Sequence, residues 1–416
     1  MKRFAGLLFL ALSCGCLKPP VKVVLLGFDG AGWDTIEPLI EAGKLPYLER
    51  LRARSAWGPL ATFKPTKSPV IWTSIATGKT MAKHGILDFV YLEKNEIPIP
   101  YDNSERREPS IWQIVDHGGR RSVIVNWFVT HPPDPIEGVM VSNRFRRMLL
   151  LGKERWDGMR DTVHPSERFD ELARFVDTRF DDLRSERGLP DLLHRYGAEA
   201  VNAPVVEDYP VYVMQEALIE NVARHLYETE SFDLFAAYFR LPDIVQHSAV
   251  HLVGHGDDEP AFRQGLTELL EPFYRYMEGI IETYVSAPGH ENTYFVVLSD
   301  HGFSYHAGTY DHYHIPEEDP PPSGIFLMTG PAVNPGMTTT LSVYDVAPTL
   351  LYLFGLPVGE DMDGVVAREL LSLDTDVRFA RYGPELMLPV ARKRDALDRE
   401  LDEKTLRELE SLGYLR

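Results

Sequence analysis

Val21-Lys22-Val23-Val24-Leu25-Leu26-Gly27-Phe28 runs into Asp29-Gly30 near the start of this 416-residue chain. The run is apolar almost without a break, as strands are when a parallel sheet is covered on both faces. Its end matters as much, because α/β enzymes keep their chemistry just beyond the C-terminal ends of such strands. Four further runs of this kind follow: Arg121 to Trp127 (RSVIVNW), Asp233 to Phe239 (DLFAAYF), Thr293 to Leu298 (TYFVVL) and Gly324 to Thr329 (GIFLMT). Helical spacing lies between and after them, over Ile36 to Ala53, Ser68 to Thr77 and Tyr344 to Phe354. The charged stretch from Lys393 to Leu412 reads as a surface helix. This alternation predicts an α/β sandwich with a mainly parallel central sheet. One region breaks it. Asn143 to Val205 is rich in Arg, Asp and Glu, yet aromatic and leucine residues recur through it. That composition predicts a folded helical cap at about 143–205 rather than a disordered loop.

The first residues predict an address. Lys2-Arg3 is followed by an apolar run from Phe4 to Leu12 and then Ser13-Cys14-Gly15-Cys16. This is the pattern of a signal peptide, too short for a stable membrane span. A cysteine straight after small residues resembles a bacterial lipobox, and residues 1–16 are read as such a leader. Cys16 is the favoured lipid acceptor and Cys14 the alternative. The expectation is an exported lipoprotein anchored to the membrane of a bacterial cell envelope, with residues 21–416 forming the catalytic domain. The chain has 2 cysteines, both in the leader. A disulfide framework and a cysteine zinc site are therefore excluded for the mature chain. The formal net charge of -19 argues against a nucleic-acid partner, since phosphate backbones call for basic patches. It leaves a phosphate substrate open, because bound metal ions supply local positive charge.

Acidic and histidine residues gather after the apolar runs. Asp29 follows the first. Asp243 and His247 are four apart, which places both on one helical face, able to grip one ion. Asp300-His301-Gly302 ends a very apolar run, and Gly302 permits a sharp turn there. His312 and His314 lie in the loop beyond; His314 is favoured as the third ligand beside Asp243 and His247. His251 and His255 continue the four-residue spacing and are read as surface or supporting residues. Three Asp and three His suit two zinc-like ions bridged by a phosphate. Taken singly, Asp29 and Ser68 would pass for ordinary helix caps. A nucleophile is expected in Pro65-Thr66-Lys67-Ser68-Pro69, with Ser68 as the N-cap of a helix whose N-terminus can bind an anion. Thr66 is the rival.

Jointly these pieces resemble the alkaline phosphatase superfamily, in its type I phosphodiesterase and nucleotide pyrophosphatase branch. The matching motifs are Phe28-Asp29-Gly30, Ser68-Pro69 with Thr77-Gly78, Lys83-His84-Gly85-Ile86, Asp243 to His247, Ser299-Asp300-His301-Gly302, Gly330-Pro331, Asp345-Val346-Ala347-Pro348-Thr349-Leu350 and Gly355-Leu356-Pro357. They run in order from about residue 21 to 365; the cap is not covered. The resemblance implies an alkaline-phosphatase-like fold and two divalent ions, usually zinc. Asp29, Ser68, Asp300 and His301 would hold one ion; Asp243, His247 and His314 (or His312) would hold the other. Ser68 would attack phosphorus and form a phosphoseryl intermediate. Many nucleotide pyrophosphatases have threonine where Ser68 stands and an asparagine where Ile71 stands, so Lys67 or a backbone amide must supply that contact here. The implied activity is phosphodiesterase or nucleotide pyrophosphatase, on a small phosphate ester or a lipid headgroup. A phosphomonoesterase or sulfatase-like hydrolase is the alternative, and a non-catalytic surface lipoprotein the third.

Overall fold

The computed structural model describes residues 21–93, 97–184, 209–253, 259–289, 291–306, 309–313, 315–388, 390 and 395–415. The leader with Cys14 and Cys16 lies outside these, as do His255, His314 and the side chain of His251. Among the described residues no helix is long and apolar enough to cross a membrane.

Nine strands form one sheet. They are β1 (Lys22–Phe28), β2 (Ala56–Ala61), β3 (Ser122–Val125), β4 (Gly138–Val141), β5 (Val163–His164), β6 (Leu234–Phe239), β7 (Thr293–Leu298), β8 (Gly324–Thr329) and β9 (Leu341–Ser342). Their spatial order is β9-β2-β8-β7-β1-β6-β3-β4-β5. The central run from β7 to β4 is parallel throughout. β8 pairs antiparallel with both neighbours, and β5 pairs antiparallel with β4. The sheet is thus mainly parallel, as expected.

Two apolar layers sandwich the sheet, and β1 shows why its sequence is uniformly apolar. Val24, Leu26 and Phe28 enter one layer, while Val23 and Leu25 enter the other. The second layer includes Ile71, Trp72 and Ile75 of the helix Ser68–Thr77. Gly27 allows the close approach. A Cβ there would lie 2.6 Å from the Trp72 ring. Trp72 also packs edge-on against Trp127 and Tyr238. This aromatic wedge fixes the helix against β1 and so fixes Ser68 beside the end of that strand.

Three local expectations need correction. Ile36 to Ala53 is two helices, Trp33–Glu41 and Pro46–Ala53. Gly43 at φ +69° ends the first, and Pro46 starts the second at a position where its missing N–H costs nothing. Ser68 is the first helical residue, not the N-cap. Lys67 is extended, and its carbonyl accepts from the amides of Val70 and Ile71. The helix Ala396–Ser411 is no free surface element: Leu401, Glu408 and Leu409 are buried. Its acids are drawn in by basic partners, Asp398 and Asp402 by Arg144 and Glu408 by Arg147 and Arg240. The described part of the 143–205 segment holds the 3-10 stretches Phe145–Leu150 and Lys153–Thr162, β5 and the helix Phe169–Arg184. Residues 185–208 lie outside the described residues.

Candidate active site

Three parallel strands of the sheet end at one place. β1 delivers Asp29. β6 leads into the helix Leu241–Val253, which carries Asp243 in its first turn and His247 one turn later. β7 leads to Asp300 and His301. A hairpin of Ser304–His306 and Thr309–Asp311 then brings in His312. The turn at Gly30 is a requirement. Its φ is +70°, and a Cβ would meet the Asp243 backbone at 2.8 Å.

The first cluster is Asp29, Asp300 and His301, all buried, with Ser68. Ser68 Oγ lies 3.3 Å from Asp29 Oδ1 and 3.5 Å from His301 Nε2. His301 Nε2 lies 3.3 Å from Asp29 Oδ1 and 3.5 Å from Asp300 Oδ2. Thr66 points elsewhere and donates to the carbonyl of His312. The second cluster is Asp243, His247 and His312. Asp243 Oδ1 is 3.3 Å from His247 Nε2 and 3.7 Å from His312 Nε2. The two imidazole Nε2 atoms stand 3.0 Å apart. His301 and His312 stack, ring centroids 3.8 Å apart and planes within 12°, which ties the clusters into one site.

The charge balance is that of a cation site. Burial, with Asp29 beside it, pushes the Asp300 carboxyl well above the usual carboxylate range. Burial works against a charged His301, yet Asp300 and Asp29 outweigh it and raise its pKa to about 10. Burial likewise opposes ionised Asp243, and His247 overrides it to hold that pKa low. Asp300 Oδ2 and Asp243 Oδ1, one in each cluster, have no hydrogen-bond partner among the described residues. Orphaned buried carboxylate oxygens are costly, and a divalent ion satisfies them. Carboxylate and imidazole donors fit zinc and related divalent metals. The residues present therefore fit two ions, one per cluster.

Two tyrosines belong here that the sequence reading missed. Tyr238, on β6, donates to Asp29 Oδ2. Tyr414, just past the last helix, places its hydroxyl 3.0 Å from Asp243 Oδ2, 2.7 Å from His247 Nε2 and 3.1 Å from His312 Nε2. Tyr238 had a signal, since its position in a strand puts it one strand over from Asp29. Tyr414 had none. The expected phosphoryl contact from Lys67 meets a competing fact: its ammonium is ion-paired with Asp88.

Glu216 braces the second cluster from behind. Its carboxylate accepts from the amides of Arg240 and Leu241, each at 3.3 Å, at the start of the helix that carries Asp243. Burial pushes its pKa up to about 7. A carboxyl raised in the folded state holds its proton longer than in the unfolded chain. Stability is then highest below the unfolded pKa, falls as pH rises from about 4.5 to about 7, and levels off above. The whole loss is on the order of 3 kcal/mol at one pKa unit per about 1.4 kcal/mol. Glu216→Gln is expected to flatten this decline; melting temperatures from pH 4 to 9 check it, and an unchanged slope would refute it.

The fold and the paired clusters define the class as the alkaline phosphatase superfamily. The family of type I phosphodiesterases / nucleotide pyrophosphatases matches residues 23–330, and the chain belongs to it. Its members act on phosphate esters. No curated protein matches this sequence. Among solved structures, a putative sulfatase from Bacteroides thetaiotaomicron is similar over 88% of this chain and 78% of its own, at 12% identity and a TM-score of 0.54. BT1596, a 2-O GAG sulfatase, matches 85% of this chain and 74% of its own, at 11% identity and a TM-score of 0.55. Human ectonucleotide pyrophosphatase / phosphodiesterase 5 matches 85% of this chain and 100% of its own, at 13% identity and a TM-score of 0.49.

Proposed function

We propose that this protein is a two-metal, zinc-dependent phosphodiesterase that works through a phosphoseryl intermediate. The observation that carries this reading is the Ser68 hydroxyl. It opens a ten-residue helix and meets Asp29 and His301 of one cluster, while His301 stacks on His312 of the other. Asp29, Asp300, His301 and Ser68 would hold one ion, and Asp243, His247 and His312 the second. When bound, the ions supply Lewis acidity and lower the pKa of a coordinated hydroxyl or water.

The chain's own residues do the rest. Asp29 and His301 hold Ser68 Oγ in place while it gives its proton to solvent and attacks phosphorus, and the departing oxygen takes a proton back from solvent to leave as the alcohol. The phosphorus–oxygen bond to the leaving alcohol breaks as the Ser68 oxygen–phosphorus bond forms. The amides at the start of the helix face the developing negative charge. Water then attacks the same phosphorus and returns Ser68 as a hydroxyl.

The test compares bis-p-nitrophenyl phosphate with p-nitrophenyl phosphate, using zinc-loaded protein from residue 21 onward. Faster cleavage of the diester is expected. Faster cleavage of the monoester would replace this reading by a phosphomonoesterase. No turnover of either with metal bound would leave a non-catalytic protein. For its address we propose export and lipidation at Cys16, with the 143–205 segment as a cap beside the site. Cys16→Ala should move the protein from the membrane fraction to the soluble one; unchanged fractionation would sink the anchor.

A further inference from the structure

A group of buried arginines adjoins the site, and the mechanism makes no use of it. Arg146, Arg147 and Arg240 are all more than nine-tenths buried. They line one cavity of about 90 Å³ together with Asp29, Ser68 and Asp243. That is several times the roughly 15 Å³ that one water needs. The cavity has room for a small oxyanion.

The charges do not balance. Glu408, carried in by the last helix, pairs with both Arg147 and Arg240. Arg240 Nη2 also donates to Gln215 at 2.8 Å. Arg146 has a different set of partners. Its Nη1 donates to Asn126 Oδ1 at 3.2 Å and to the carbonyl of Asn143 at 2.7 Å, both neutral. Its Nε is buried with no hydrogen-bond partner, and the acid whose charge favours it, Glu408, is already shared by Arg147 and Arg240. The other acids of the lining are engaged: Asp29 and Asp243 belong to the two clusters, Asp402 pairs with Arg144 and Asp102 accepts from the Ser104 amide. Two of these three guanidiniums are accounted for as a clamp on the last helix; the third is not. A buried guanidinium with no carboxylate of its own calls for an anion, and its planar fork suits the paired oxygens of phosphate, sulfate or carboxylate. Burial and the charges of Arg240 and Arg147 work against the protonated Arg146, and the shared Glu408 offsets them only in part.

We propose that this cavity binds a second anionic group of the substrate, a phosphate, sulfate or carboxylate on the substituent that stays clear of the metals, with Arg146 as its main contact. The proposal rests on the hydrolase reading of the site, of which it narrows the substrate class: esters that carry two separate anionic groups.

The first experiment avoids catalysis. Metal-free full chain is titrated calorimetrically with inorganic phosphate, beside Arg146→Gln and the charge-keeping Arg146→Lys. Without ions no metal can hold phosphate, so phosphate that binds beside Ser68 is held by the arginines, against the repulsion of Asp29 and Asp243 in the same lining. Saturable binding by the native chain is expected, at least about tenfold weaker in Arg146→Gln and largely restored in Arg146→Lys. A folded native chain that binds no phosphate without metal overturns the proposal, whatever the variants do. So does equal binding by Arg146→Gln. The second experiment asks whether the anion belongs to the substrate. Zinc-loaded native enzyme is given ethyl p-nitrophenyl phosphate or its 2-phosphoethyl counterpart. At least about a tenfold preference in kcat/KM for the doubly anionic ester is expected. Phosphate binding with no such preference would leave a site for a free anion and overturn the substrate role. Phosphate binding with no turnover of either ester would overturn the hydrolase reading and, with it, the substrate role.

Discussion

Ser68→Ala lowers turnover of bis-p-nitrophenyl phosphate by at least about a thousandfold, because a covalent route loses its only attacking atom. The hydroxyl is one buried oxygen between Asp29 and His301. Losing it removes no apolar contact, and the helix keeps its start through Lys67 and Pro69. The melting temperature should therefore move little, and the second cluster should hold its ion. Thr66→Ala is the matching control. Its hydroxyl is spent on the His312 carbonyl, so its effect should come through the position of His312 and stay far smaller. Equal losses in both variants, or a Ser68→Ala enzyme with near-native turnover, would remove the phosphoseryl mechanism.

The second large effect concerns metal content. His312→Ala should bring the chain from two ions to one, with a loss of activity greater than the about 10–100-fold that a merely supporting residue costs. His312 is completely buried and stands within reach of both Asp243 and His247. His314→Ala should keep both ions. Tyr414→Phe falls between them. Its hydroxyl touches every member of the second cluster, so metal should be stripped by chelator about tenfold more readily, with full loading still reached at excess metal. Metal analysis after dialysis against graded chelator reads all three. A His314→Ala chain that loses an ion while His312→Ala keeps two would reverse the assignment.

The contrast between His312 and His314 shows where sequence reading stops. Both lie in one short loop, two residues apart, and composition favours neither. His312 is aimed by the hairpin pairing of Ser304 with Asp311, by the Asp311 side chain accepting from the His312 and Tyr313 amides, and by the Thr66 contact to its carbonyl. None of these leaves a pattern along the chain. His314 lies outside the described residues. The four-residue β4 (GVMV) is too short to stand out along the chain, and three other missed strands have a similar cause. β2 (AWGPLA) contains Gly and Pro and alternates between buried and half-buried residues, and β5 and β9 span two residues each. Such segments become strands only because a neighbour with free backbone groups is beside them.

By itself the sequence determined the α/β class, the five long strands and the places where acids and histidines follow them. Continuous apolar runs can be satisfied only by burial on both faces, and their polar successors must then emerge together at one edge of the sheet. Tertiary structure alone decided the rest. It brought Tyr414 to a cluster 171 positions away at Asp243, turned a charged helix inward through Glu408, and set Arg144, Arg146, Arg147 and Arg240 around a cavity beside Ser68. Contacts of that kind depend on which surfaces meet after the sheet has formed, and long-range charge pairing has no period that a single chain can display.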